Sequence, residues 1–176
     1  MAQTSTTNSY TLNSLSELDD NQLDSVYRAG TIPSDMSVLS GKPKGRMLTV
    51  RYTDTTPMFG ALKFISSNNF FPWDGKSFFP VSKSVGRGIN RLKVISASFD
   101  AFPFETRIVN SVLDGQPCIL LDYEQPENPW FISMIRDEIR EVSPGLFMGP
   151  AMWKDGQGGA TLVLWFAVDF NTPSDL

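Results

Sequence analysis

Between residues 45 and 170, apolar and polar positions alternate in short runs separated by glycine-containing links. Successive side chains of a strand point to opposite faces, so runs of this kind predict strands with one buried face. The runs are GRMLTVRYTD (45–54), FFPWDGKSFFPV (70–81), INRLKVIS (89–96), FPFETRIVN (102–110), LDGQPCILLDYE (113–124), GLFMGPAMWK (145–154) and GATLVLWFAVDF (159–170). Asp74-Gly75 and Asp114-Gly115 read as turns, and DGQGG (155–159) joins the last two runs. About seven strands joined in chain order by short links imply an antiparallel meander. A meander of that length closes into a barrel, which removes its sticky edges.

Three stretches follow a helical period instead. In ELDDNQLDSVYRAGTIP (17–33), Asp19 and Gln22 have the spacing of a capping box, Leu23, Val26 and Tyr27 share a face, and Gly30 with Pro33 ends the element. TTPMFGALKFISS (55–67) offers Thr56 as N-cap and Pro57 in the first turn. NPWFISMIRDEIREVSPG (128–145) offers Asn128 as N-cap, an apolar stripe of Ile132, Ile135, Ile139 and Val142, and a stop at Pro144-Gly145. Its charged residues are either the wet face of a helix capping the barrel, or they include an Arg136 or Arg140 turned to the barrel mouth to hold an acid group. Residues 1–14, rich in Thr, Ser and Asn, are expected to fray, leaving 15–176 as a single mainly-β domain with two or three short helices.

Composition narrows the chemistry. The chain has 41% hydrophobic and 12% aromatic residues, which suits a packed core. It contains no histidine, which removes Ser-His and Cys-His nucleophile pairs and histidine-based metal sites. Cys118 stands alone, so no intrachain disulfide forms and no metal or other cofactor is expected. Proton transfer would fall to Asp, Glu, Tyr, Lys or Cys118. MAQTSTTNSYTLN has no secretory pattern, and no run approaches the roughly 18–20 apolar residues of a membrane helix, so a cytoplasmic protein with no membrane span is expected.

Charge is unevenly spread. Residues 42–93 carry ten Lys or Arg against two Asp, residues 94–176 four against twelve acids, and residues 1–41 one against five. Either early and late strands complement each other, or the basic half forms an electropositive mouth for an anion. KSVGRGINRLK (83–93) is basic without interleaved aromatics in an acidic chain, so no nucleic-acid partner is expected.

Strand parity selects candidate site residues. Cys118, Leu120 and Asp122 oppose Ile119, Leu121 and Tyr123, and Phe104 opposes Glu105 and Arg107. Asp122, Glu105 and Tyr123 are the candidate proton-transfer groups, though parity puts Asp122 and Tyr123 on different sides. Arg107, Arg136, Arg140, Trp153, Trp165, Phe104 and Met152 are the candidate ligand contacts. Trp153 and Trp165 are read as sharing the small-residue face of Gly149 and Ala151, which leaves room for a ligand or is complementary packing. The last strand is apolar on both faces, so its outer face needs a covering helix or a second copy of the chain, a homodimer.

The segments WDGKSF (73–78) and REVSPGLFMGPAMW (140–153), in an order of helix, strand and meander, resemble small lipocalin-like (calycin) proteins and the bacterial GXWXG family. The resemblance covers about residues 40–170 in element order. It implies a cup for a small hydrophobic or amphipathic molecule and carries over no catalytic residue. Two functions follow as expectations. One is binding of such a molecule. The other is a cofactor-independent isomerase, cyclase or decarboxylase acting on it through Asp, Glu or Tyr.

Overall fold

The structure is a computed structural model, and it describes residues 9–51, 73–94 and 97–174. The helix expected at 55–67 lies outside the described residues. Eight strands run in chain order: β1 Pro43–Val50, β2 Trp73–Pro80, β3 Val85–Val94, β4 Ala97–Asn110, β5 Pro117–Asp122, β6 Ile135–Ser143, β7 Leu146–Lys154 and β8 Ala160–Pro173. Each pairs antiparallel with the next, and β1 pairs with β8, closing the barrel. The expected meander barrel is therefore the fold, with eight strands in place of about seven.

The additional strand is β6, where the sequence suggested a helix. The helix that does form, α3, is one turn at Trp130–Ser133, with Pro129 in place of Asn128 as its N-cap. From Ile135 the chain is extended and pairs with β5 and β7. The apolar spacing misleads for a physical reason. Ile135 and Ile139 are four apart, which satisfies the helical period and the strand period of two alike. Alternation was hidden because Asp137, Glu138 and Arg140 are all buried although charged.

A second correction concerns Asp74-Gly75. These residues lie within β2 at a register shift, and Gly75 has φ +125°, the left-handed region that glycine favours. The step is a bulge, not a hairpin turn. Asp114-Gly115 does form a turn, with Gly115 at φ +72° and its N–H donating to Ser111 O.

Two helices precede the barrel. α1 (Leu12–Ser16) starts at a capping box of Thr11 and Ser14, within the stretch expected to fray. α2 (Asp20–Ala29) has the expected box of Asp19 and Gln22. Leu12, Leu15, Leu23, Val26 and Tyr27 cluster with Leu146, Met148, Trp165 and Ala167, so these helices cover the outer face of β7 and β8. Tyr27 and Trp165 meet at 5.7 Å between ring centroids. Residues 31–41 then cross one end of the barrel. Thr31 bridges to Glu141 and Gly41 to Phe78, while Ile32, Met36 and Leu39 pack with Phe78, Phe147 and Phe170. The other end is marked by the starts of β2, β6 and β8, with half-buried Trp73, Phe131, Ile135 and Leu164.

Candidate functional site

Inside the barrel, between the plugged end and Trp73, three strands and the residue that follows a fourth each contribute one polar side chain to a cluster among apolar residues. β2 supplies Lys76, on the same side as Phe78 by parity. β3 supplies Asn90, its register partner. β6 supplies Asp137, and Tyr123 follows directly on β5. The Lys76 and Asp137 side chains are 5% and 4% exposed.

The hydrogen bonds of this cluster can be counted to completion. Lys76 Nζ donates to Asn90 Oδ1 at 2.9 Å, Tyr123 Oη at 2.5 Å and Asp137 Oδ2 at 2.9 Å. An ammonium has three N–H bonds, so all are used. Asn90 Oδ1 also accepts from Trp73 Nε1 at 3.1 Å. Asn90 Nδ2 donates to Phe102 O at 3.2 Å and Tyr123 Oη at 3.1 Å. Tyr123 Oη donates to Asp137 Oδ2 at 3.0 Å. The exception is Asp137 Oδ1, buried with no hydrogen-bond partner among the described residues. A buried polar atom left unpaired is costly, and in a native fold it calls for an explanation.

Aromatic rings surround the lysine. Trp73, Phe104, Tyr123 and Phe166 have centroids 5.4, 5.4, 5.2 and 5.0 Å from Nζ, within cation–π range. The backbone is shaped to allow this. A Cβ on Gly88 would lie 2.3 Å from the Phe104 ring, so glycine there lets the ring cross β3. Phe102 has φ +59°, which is strained for an aromatic residue preceding proline, and its carbonyl is the one that Asn90 holds. Asn128 Nδ2 donates to Pro103 O and Tyr123 O, both at 2.8 Å, tying this strained corner to the tyrosine.

Burial drives the ionisations of the cluster. Desolvation pushes the Lys76 ammonium below its ordinary value, opposed by the charge and hydrogen bond of Asp137. The same burial, with the Asp137 charge beside it, pushes the Tyr123 phenol well above its ordinary value. The arrangement is thus a sealed ion pair flanked by a neutral phenol.

The residues singled out from the sequence are distributed differently. Tyr123 and Phe104 are in the cluster. Asp122, Glu105 and Arg107 are on the outer face of β4 and β5, where Arg107 Nη2 donates to Asp122 Oδ2 at 2.7 Å. Burial pushes the Asp122 carboxyl up, but the Glu124 N–H and the Arg107 guanidinium outweigh it and hold it low. Arg136 and Arg140 alternate with Asp137 and lie outside the barrel. Arg136 Nε donates to Glu138 Oε1 at 2.8 Å. The Arg140 fork is filled by Asp114 at 2.7 Å through both nitrogens, by Pro117 O, Gln116 O and Tyr27 O, and by the Tyr27 ring at 4.4 Å. Trp165 faces α1 and α2, Trp153 packs with Val163, Phe131 and Met134, and Met152 is buried.

Sequence reasoning missed Lys76, Asn90, Asp137 and Trp73. A signal existed for two of them. Lys76 shares parity with Phe78, and Asp137 with Ile135 and Ile139, so each is a charge at an inward position beside large apolar neighbours. Among the described residues, no group of three or more His, Cys, Asp or Glu is arranged to hold a metal ion. No helix among the described residues is long and apolar enough to cross a membrane.

No family model matches the chain, so the likeness to the GXWXG family rests on the quoted segments alone. No curated protein matches it either. Among solved structures, a crystal structure of a protein from Thermomonospora curvata is similar over 86% of this chain and 87% of that one, with 15% identity and a TM-score of 0.48. The barrel assignment rests on this chain's own closed strand order.

Proposed function

We propose that the barrel interior binds a small, mainly hydrophobic molecule and orients it with the Lys76–Asp137–Tyr123–Asn90 cluster. The observation that carries this reading is the unpartnered Asp137 Oδ1, buried beside a complete polar network and a ring of aromatics. An apolar interior with a few fixed polar groups is the usual make-up of a small-molecule site. A buried ion pair is often no better for stability than well-packed apolar residues, so packing alone does not account for these polar groups. The test is native mass spectrometry of the protein from its own host, comparing gentle with denaturing spectra, followed by amide exchange with the recovered molecule. A bound mass lost on denaturation, with added protection at Tyr123 and Asp137, is the expected result. A protein that carries no small molecule and gains no protection from any hydrophobic probe would overturn the reading.

A second reading, a cofactor-independent isomerase, is favoured by one observation: three titratable groups, Lys76, Tyr123 and Asp137, are in mutual hydrogen-bond contact. Asp137 Oδ1 would take a proton from one carbon of the bound molecule and return it at another, leaving its composition unchanged. Recovery of an isomerised product after incubation separates an enzyme from a carrier.

A further inference from the structure

The donor and acceptor count inside the barrel says which polar group a bound molecule would carry. Every Lys76 N–H is already committed to a protein acceptor, as are both Asn90 Nδ2 hydrogens and the Trp73 Nε1–H. The Tyr123 hydroxyl donates to Asp137 and accepts from Lys76 and Asn90. Among the described residues, the cluster therefore has no N–H or O–H left for an acid ligand. What the cluster offers is an acceptor, Asp137 Oδ1; Asn128 Oδ1, at the corner beside Pro103 and Tyr123, is a second buried acceptor with no partner among the described residues.

Charge points the same way. Lys76 and Asp137 form a one-to-one pair at 2.9 Å, so the cluster is neutral as a unit. A ligand carboxylate would add an unbalanced buried charge next to an existing carboxylate, which is strongly unfavourable. A ligand cation would likewise arrive where the anion is already neutralised. A neutral hydroxyl or N–H meets neither penalty and forms a charge-assisted bond, the stronger kind. The surrounding Trp73, Phe104, Tyr123 and Phe166 rings offer flat apolar faces to the rest of the molecule.

We infer that the interior selects a neutral, ring-containing molecule bearing a hydroxyl or N–H donor, which it holds through Asp137 Oδ1, and that it rejects the corresponding acid. This rests on the interior being a binding site. It also replaces the expectation of an acid group met by Arg or Lys, since the arginines in question are outside the barrel and the lysine is saturated.

Three probes of like shape test it on the full-length protein: 2-naphthol, 2-methoxynaphthalene and 2-naphthoate, with affinities from calorimetry. One hydrogen bond to a charged group predicts 2-naphthol binding roughly 10- to 100-fold tighter than the methyl ether. The naphthoate binds weakest of the three. In the double variant Lys76→Met/Asp137→Leu, which removes both charges together, the preference for the naphthol over the ether is lost while the ether still binds. Equal affinity of naphthol and ether in the wild type overturns the donor inference and leaves interior binding standing. Tightest binding of the naphthoate overturns it in favour of an acid ligand. Failure of all three to bind overturns both this inference and the broader reading. The wild-type comparison decides the matter even if the double variant does not fold.

Discussion

At the scale of single residues, Lys76 and Asp137 present a stability problem whose solution is testable. Each is nearly fully buried, and each is the counter-ion of the other. Removing one leaves the other as an uncompensated buried charge, with a cost of about 3–5 kcal/mol. Lys76→Met alone and Asp137→Leu alone are each expected to lower stability by that amount in urea unfolding. The double variant Lys76→Met/Asp137→Leu is expected to lose less than either single variant, because the two desolvation penalties vanish together. A double variant as unstable as the sum of the singles would mean the pair holds the barrel together, and would remove the argument that it is kept for a ligand. Part of this site could be read in the sequence. Tyr123 and Phe104 were among the sequence candidates, but parity left open which face points inward, so Asp122, Glu105 and Arg107 of the outer face stood beside them. The cluster of Lys76, Asn90 and Asp137 could not be read. Lys76 and Asn90 are partners across neighbouring strands, but β6 is brought against them only by closure of the barrel. Although parity marks Lys76 and Asp137 as inward charges, no local pattern encodes an ion pair between residues 61 apart in the chain.

At the scale of elements, the β1–β2 seam is the thinnest part of the barrel among the described residues. Among the described residues one register pair, Lys44↔Gly75, joins these strands, whereas β3 pairs with β4 along the whole of β3. One buried arginine compensates. Arg91, on β3 and 2% exposed, donates through Nη2 to Pro43 O at 2.7 Å and through Nη1 to Lys76 O at 2.6 Å, with Asp74 Oδ2 at 3.3 Å from Nε. The planar fork thus joins three strands in a way that an ammonium on a flexible stem cannot reproduce. Arg91→Lys is expected to cost about 2–4 kcal/mol, as two or more buried carbonyls lose their donors. Amide exchange in β1 and β2 should accelerate more than in β6 and β7. Uniform acceleration would show that the seam is not the local weak point. Arg91 belongs to the basic half of the chain, whose charge suggested either cross-strand complementarity or an anion site. The structure spends Arg91 largely on backbone carbonyls and sends Lys76 across the barrel to an acid from the other half. Such uses depend on bulges and closure. Most strands, and the cap of α2, depend on local alternation and spacing, which is why they were legible. β6 was not, because its apolar residues fit two periods at once.

At the scale of the whole molecule, the barrel with its outer helices sequesters several weak acids, and their sum sets how the fold responds to alkali. Cys118 is buried, and burial pushes its thiol up to about 12, with the Glu138 charge adding to the effect. Burial also raises the Tyr27 and Tyr123 phenols, again beside carboxylates. In the unfolded chain these groups lose protons near pH 9 and 10, while the folded chain still holds them. The folded state then binds more protons, so stability falls as pH rises through the unfolded values. Lys76 has the opposite sign. Its folded value is lowered, so the unfolded chain binds the extra proton and stability rises with pH up to the unfolded lysine value. One rising contribution against three falling ones gives a net loss above about pH 10, with a thiol contribution that begins near pH 9 and amounts to at most about 1.4 kcal/mol per pH unit. Urea midpoints measured from pH 8 to 11 should therefore hold or rise up to about pH 10 and then decline. In Cys118→Ala the curve should run above that of the wild type from about pH 9 upward, and its decline above about pH 10 should be shallower, by at most about 1.4 kcal/mol per pH unit. If the variant and the wild type trace the same curve, the thiol is not coupled to folding. If neither declines, the carboxylate-flanked phenols are not held neutral by the closed barrel, and the neutral Tyr123 on which the interior hydrogen-bond count depends is wrong as well.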